Sequence, residues 1–166
     1  MRVIDVAEVT AKIRDMAIES NYNVDPEYLA QIESAKASES SPLGRNILNQ
    51  ITENAELASA ERVPYCQDTG LSVVFADVGQ DVHFTGGSLE SAINEGVRQG
   101  YRDGYLRGSV VNDPLRRENT KDNTPAVIHY RVVPGDHFVL YFAAKGTGSE
   151  NMSMARMLKP SDGREG

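Results

Sequence analysis

Residues 64–70, PYCQDTG, set the chain's one cysteine beside an amide and a carboxylate. In an extended segment, residues two apart share a face roughly 6.6 Å from each other. Cys66 and Asp68 can then act on the same small ligand. Gln67 and Asp68 are poor company for a buried apolar thiol, because each would need satisfied hydrogen bonds. Two chemistries fit the pair, a thiolate–metal site or a nucleophile with its base. The nucleophile needs an imidazole; the candidates are His83, His129 and His137, and neither His129 nor His137 holds a distinctive position. The metal site has its own difficulty. One cysteine without a C-x-x-C pattern is not a zinc site, and an iron–sulfur cluster needs further cysteines. A thiol serving as a small buried hydrophobe is the third reading.

Two further stretches offer chemistry. KGTGSEN, residues 145–151, is rich in glycine but lacks the spacing of a P-loop. Its backbone amides can still receive a carboxylate. Arg107, in GYLRGSVV, sits at the end of a helical pattern. Spacing alone favours a cation complementing the helix dipole; the alternative is a bidentate carboxylate clamp.

These residues need elements to hold them. Val6, Val9, Ile13, Met16 and Ala17 recur at helical spacing. Asp25 followed by Pro26, and Ser41 followed by Pro42, read as helix starts with an N-cap and a proline at the first helical position. Leu48, Ile51, Ala55 and Ala58 form the stripe of the second of these. After Pro64 the period changes. LSVVFADV is a short buried strand, and Ser88 caps a helix that turns Leu89, Ile93 and Val97 inward. Residues 108–124 have no period and read as a long loop, which in a compact domain is functional or disordered. AVIHYRVV alternates, with Ala126, Ile128, Tyr130 and Val132 on one face. PGD makes a tight turn before HFVLYFAAK. The pattern predicts a β-hairpin over 126–144.

The fold class expected is α+β, an N-terminal helical layer followed by a mixed or antiparallel β unit with a C-terminal hairpin. The 166 residues suit a single domain, helical over 1–62 and site-bearing over 63–160. Pro160 and Ser161 look like the start of a helix just before the sequence stops, which predicts a longer chain. A net charge of −7 disfavours nucleic acid as a partner. No run of eighteen apolar residues predicts a membrane span. A lone cysteine and the absence of a secretory pattern point to a reducing cytoplasm.

Five stretches, PYCQDTG, GYLRGSVVNDPL, NTKDNTPAVIHY, VPGDHF and KGTGSENMS, stand in an order that resembles the iron–sulfur hydro-lyases. The family is that of class I fumarase and tartrate dehydratase, and the likeness is to its α subunit or N-terminal region. The resemblance implies an enzyme that reversibly hydrates fumarate to malate, or a tartrate or related dicarboxylate hydratase. It also implies a [4Fe–4S] cluster on three cysteines, with one open iron acting as a Lewis acid on the departing hydroxyl. Cys66 matches the first of those cysteines, and this sequence lacks the other two. By the same resemblance Gln67 hydrogen-bonds substrate, Asp68 moves the proton, Arg107 takes a substrate carboxylate and Gly148 makes a backbone contact. For Arg107 this reverses the preference from spacing. A β subunit or C-terminal domain, and a homo- or hetero-oligomer, are the implied partners. These residues alone are then expected to be inactive. A reading of another class stays open, a non-catalytic carboxylate-binding or assembly module. If Gln67 and Asp68 both face one site, the chain must turn there, and Thr69-Gly70 permit it.

Overall fold

The structure is a computed structural model, and it describes residues 1–148 and 152–164. Strand β1 (Arg2–Asp5) leads directly into α1 (Val6–Tyr22), followed by α2 (Pro26–Ser38) and α3 (Pro42–Glu61). Then come β2 (Leu71–Gly79), β3 (Val82–Thr85), α4 (Leu89–Asp103), β4 (Val127–Val133) and β5 (Phe138–Lys145). A 3-10 turn, Pro160–Asp162, lies near the C-terminus. The class is α+β, with helices ahead of the three-stranded sheet as the sequence indicates, but residues 1–62 are not wholly helical: β1 precedes α1 and pairs with β3.

The helix starts lie where cap chemistry puts them. Asp25 Oδ1 accepts from the Glu27 amide at 2.8 Å, and Ser41 Oγ accepts from the Gly44 amide at 3.3 Å. Each satisfies a first-turn N–H that has no partner within its helix. Ser88 Oγ faces the Ser91 amide at 3.5 Å, a longer contact. On α1, Val6, Val9, Ile13 and Ala17 are buried as the spacing predicts. The α3 stripe departs from expectation at one position. Ala55 and Ala58 are buried, but Thr52 takes the inward place beside them, and Ile51 is 43% exposed.

The core forms where α1 crosses α4 against the inner side of β2. Ile13, Val74, Ile93 and Val97 are completely buried there. The helices approach closely because α4 presents glycine to α1. A Cβ on Gly96 would stand 2.6 Å from the Thr10 carbonyl oxygen and 2.7 Å from Ile13 Cβ. The Thr10 hydroxyl also donates to the Ala92 carbonyl at 3.0 Å, bonding the two helices directly.

β1 and β3 pair in parallel, and a three-stranded sheet has the order β4-β2-β5. That order corrects the hairpin expected over 126–144. Both strands form and the turn joins them, but β2 lies between them. β4 pairs parallel to β2 and β5 pairs antiparallel to it, so they do not pair with each other. The connecting turn wraps the end of β2 instead. Gly79 N donates to His137 O at 2.7 Å, Gln80 N to Val133 O at 2.9 Å and Asp81 N to Gly135 O at 2.9 Å. An alternating pattern says that a strand has two faces; it does not say which strand it pairs with.

Ile128, Phe138, Leu140 and Phe142 pack on the core. Tyr130 and Val132 share a face with Ile128 but stay 48% and 69% exposed. The opposite face of the sheet holds Phe75 stacked on His129, ring centres 4.9 Å apart. Beside them Arg131 Nε donates to Asp77 at 2.8 Å.

Candidate active site

Three segments meet at Asp68: the turn before β2, the stretch after α4, and the loop after β5. Gly70 makes the turn, with φ +65°. A Cβ there would lie 2.2 Å from the Lys145 carbonyl oxygen, so both the conformation and the close approach require glycine. Asp68 folds back over this turn. Its Oδ1 accepts from Gly70 N at 3.2 Å, and its Oδ2 accepts from Thr147 N at 3.1 Å. The Arg107 guanidinium stands 3.8 Å from Asp68 Oδ1. The Asp68 side chain is 26% exposed and that of Arg107 is 55% exposed.

Backbone ties fix these distances. Thr69 is buried, and its hydroxyl donates to the Arg107 carbonyl at 2.9 Å. The Tyr101 phenol, buried on α4, donates to the Thr69 carbonyl at 2.8 Å and reaches the Gly70 carbonyl at 3.2 Å. Burial pushes the Tyr101 phenol up, and the Asp68 charge pushes the same way, while hydrogen bonds from its neighbours offset part of the rise. Tyr101 therefore stays a neutral donor.

Asn123 provides a further tie. It is completely buried. Its Oδ1 accepts from Ser109 N at 2.7 Å and Val110 N at 3.2 Å, and its Nδ2 donates to Gly70 O at 3.1 Å. Residues 108–124 thus lack regular structure, as read from sequence, yet are held at both ends. An isolated bridge joins Val111 and Asn119, and Arg98 on α4 binds Asp122 at 2.9 Å.

Of the residues singled out by sequence, Asp68 and Arg107 come together, and Gly148 follows Thr147 in the adjoining loop. Cys66 and Gln67 are exposed immediately before them. Arg107 is not in the last turn of α4, where Arg102 is the cation; a helix-dipole role does not fit it. Among the described residues nothing lies within 4 Å of a Cβ built on Gly148, so their packing does not demand glycine there. The rest of that motif, 149–151, lies outside the described residues. Sequence reading missed Tyr101 and Asn123. Helical spacing would have placed Tyr101 inward, four residues after Val97; Asn123 lies in a stretch that carries the family resemblance, but its local pattern does not mark it for burial.

The donor set also bears on the cluster. Cys66 is the chain's one thiol, and among the described residues no group of three His, Cys, Asp or Glu is placed to hold a metal ion. These residues alone do not fit a [4Fe–4S] cluster, although an exposed thiol is free to supply one ligand.

The fold and site together define an α+β unit that brings a guanidinium from the segment after α4 to a carboxylate on the turn before β2, two residues from an exposed thiol. Comparison with known proteins is more specific. The model of the family "Fumarate hydratase (Fumerase)" matches residues 10–166, and the chain belongs to that family. A protein of Methanocaldococcus jannaschii provisionally named L(+)-tartrate dehydratase subunit alpha is 38% identical over 141 residues, 81% of this chain and 49% of that one. The aerobic class I fumarate hydratase of Escherichia coli K12 is 32% identical over 147 residues, 86% of this chain and 26% of that one. The L(+)-tartrate dehydratase subunit alpha of Escherichia coli UTI89 is 27% identical, over 82% of this chain and 46% of that one. The chain thus spans about half the length of the tartrate dehydratase subunits it matches, and about a quarter of the fumarate hydratase.

Proposed function

We propose that residues 1–166 form one domain of a cytoplasmic iron–sulfur hydro-lyase that reversibly hydrates fumarate to malate. The observation that carries this reading is the Asp68–Arg107 pair, 3.8 Å apart, with the exposed Cys66 two residues before Asp68. A short dicarboxylic acid needs a cation for a carboxylate and a base for the proton beside it, and this pair offers both. Arg107 takes a substrate carboxylate, in competition with Asp68 for the guanidinium. Gln67 donates its amide to a substrate oxygen. Asp68 takes the proton from the carbon next to the one losing hydroxyl, and returns it in the hydration direction. Gly148 lets a backbone amide approach the substrate. Cys66 supplies one cluster ligand, and the remaining two cysteines come from outside residues 1–166, from the rest of a longer α chain; further basic groups come from a β subunit or C-terminal domain.

A second reading, dehydration of tartrate, is favoured by the 38% identity to the Methanocaldococcus protein. The deciding experiment is anaerobic expression of the chain with the subunit or domain that completes it. Hydration of fumarate and dehydration of tartrate are then measured side by side, with iron per chain. We expect turnover of one diacid by the assembled enzyme and none by residues 1–166 alone. Full iron loading with turnover of neither would overturn the hydro-lyase reading and leave a carboxylate-binding or assembly module.

A further inference from the structure

We propose that Asn123 is a positioning residue: its buried amide sets the separation of Asp68 and Arg107, and so the geometry in which the pair receives a substrate carboxylate. The inference rests on the dicarboxylate reading of the site given above.

The argument starts from what one side chain ties together. Asn123 is completely buried. Its amide bonds Ser109 and Val110 on one side and Gly70 on the other, at 2.7, 3.2 and 3.1 Å. Gly70 lies two residues beyond Asp68, and Ser109 two residues beyond Arg107. Both charged groups are therefore on short levers whose fulcrum is this one amide. They come from distant parts of the sequence, and no sheet ladder joins the two segments.

The residue type follows from the job. The site needs an acceptor for two N–H groups and a donor for one carbonyl, on a backbone with φ +58°. An amide side chain has both functions, and asparagine enters the left-handed region more readily than other residues with a side chain. Aspartate could accept but not donate. A hydrocarbon would leave two buried N–H groups without partners.

A second tie acts in parallel. Tyr101 donates to Thr69 O and reaches Gly70 O, so the Gly70 carbonyl is met by both Tyr101 and Asn123. Thr69 in turn bonds the Arg107 carbonyl. Two buried side chains and one hydroxyl thus determine where a carboxylate stands relative to a guanidinium. A residue that only stabilised the loop would change how much protein is folded. A residue that sets this separation changes how folded protein binds a diacid.

The test uses the assembled enzyme. Asn123→Asp keeps the acceptor for Ser109 and Val110 but replaces the donor facing Gly70 with an oxygen. Tyr101→Phe removes the other bond to the same carbonyl, and serves if Asn123→Asp does not fold. Asn94→Ala is the control. It deletes a comparable hydrogen bond, from Ala126 N at 2.8 Å, that involves neither member of the pair nor the residues flanking it. For each, KM and kcat for the hydrated diacid are measured well below the melting temperature, with iron per chain and succinate binding by calorimetry. Asn123→Asp should weaken KM and succinate affinity by about tenfold at unchanged iron, as expected for one lost buried hydrogen bond. Tyr101→Phe should shift both in the same direction. Asn94→Ala should lower the melting temperature and leave both constants alone. Unchanged KM and succinate affinity in the position 123 and 101 variants, with activity tracking the folded fraction, would overturn the inference while the hydro-lyase reading stands. Wild-type enzyme that binds succinate but turns over no diacid removes the reaction and leaves positioning to be decided by the affinities. Wild-type enzyme that neither turns over nor binds a diacid overturns both.

Discussion

At the scale of single residues, Asp68 has two tasks that a substitution separates only in part. It faces the Arg107 guanidinium, and it also accepts backbone N–H bonds from Gly70 and Thr147. An asparagine has one oxygen for those two donors, so its NH2 group must face one of them. Asp68→Asn should therefore lower kcat of the assembled enzyme by a hundredfold or more, within the 10²–10⁴ that general-base catalysis contributes. Iron content should hold, because the thiol is untouched. Amide exchange at Thr147 should speed up at the same time. A turnover near wild type would make Asp68 a tie for the 146–148 loop and place the proton on another group. Gly148 is the complementary case. A Cβ there meets nothing within 4 Å among the described residues, so Gly148→Ala should leave the melting temperature within about a degree, as most surface substitutions do. If the backbone at Gly148 touches substrate, KM should rise in the same variant. A variant unchanged in both would remove Gly148 from the site.

At the scale of elements, the α1–α4 contact and the tie between α4 and the 108–124 loop each make a prediction. A methyl group on Gly96 would meet the Thr10 carbonyl and Ile13 Cβ at 2.6 and 2.7 Å. Backbone cannot move aside as a side-chain tip can. Gly96→Ala should thus destabilise by about 1–3 kcal/mol through overpacking, although alanine is the better helix former. Chemical denaturation reads this directly, and a neutral or stabilising result would mean that the helices can part without loss. The loop is tied to α4 by Asp122. Burial works against its charge, but bonds from the Thr124 hydroxyl and amide and from Arg98 prevail and hold it below the usual carboxylate range. A carboxylate with a depressed folded pKa stabilises fully above its unfolded pKa, about 3.9 for aspartate, and loses that contribution as pH falls through the folded value. Asp122→Asn should therefore cost stability at neutral pH and flatten the loss of stability below about pH 4. Parallel stability curves for the two proteins across that range would show that the pair contributes nothing.

For the whole molecule, the chief fact is how much apolar surface stays open. Leu43, Ile47, Val63, Phe75, Val132 and Tyr141 are each more than 40% exposed, spread over α3, the site segment and the sheet. On α3, Leu43 and Ile47 are one helical turn apart, and on the sheet Phe75 and Tyr141 are register partners, so at these two places the open apolar surface is paired rather than single. That agrees with a chain spanning about half of its subunit-type relatives. The exposed Cys66 provides a direct measure of covering. In residues 1–166 a thiol reagent should label Cys66 without denaturant, and in the iron-loaded assembled enzyme labelling should be blocked until the iron is removed. Labelling of both forms at one rate would take Cys66 out of the covered site.

Much of this protein was legible in its residues. The helix starts at Asp25-Pro26, Ser41-Pro42 and Ser88 could be read because capping is local: the donors and acceptors are within four residues of each other. The α+β class, the α1 stripe and the inward face of α4 followed from hydrophobic period, which is also a short-range property. Cys66, Gln67 and Asp68 could be named as candidates because they are adjacent in one motif, whereas Arg107 entered through the family resemblance. What the sequence left undecided is long-range. Strand period leaves the pairing partner open, so the insertion of β2 between β4 and β5 appeared only once the turn was seen closing over the end of β2. Asn123 looked like any loop asparagine, because nothing near it in sequence reveals that its amide will be buried among Gly70, Ser109 and Val110. The approach of Asp68 to Arg107 was likewise decided by folding. Hydrogen bonds between segments dozens of residues apart depend on where each backbone lies in space, and that is fixed by packing of the whole core rather than by any stretch of the chain.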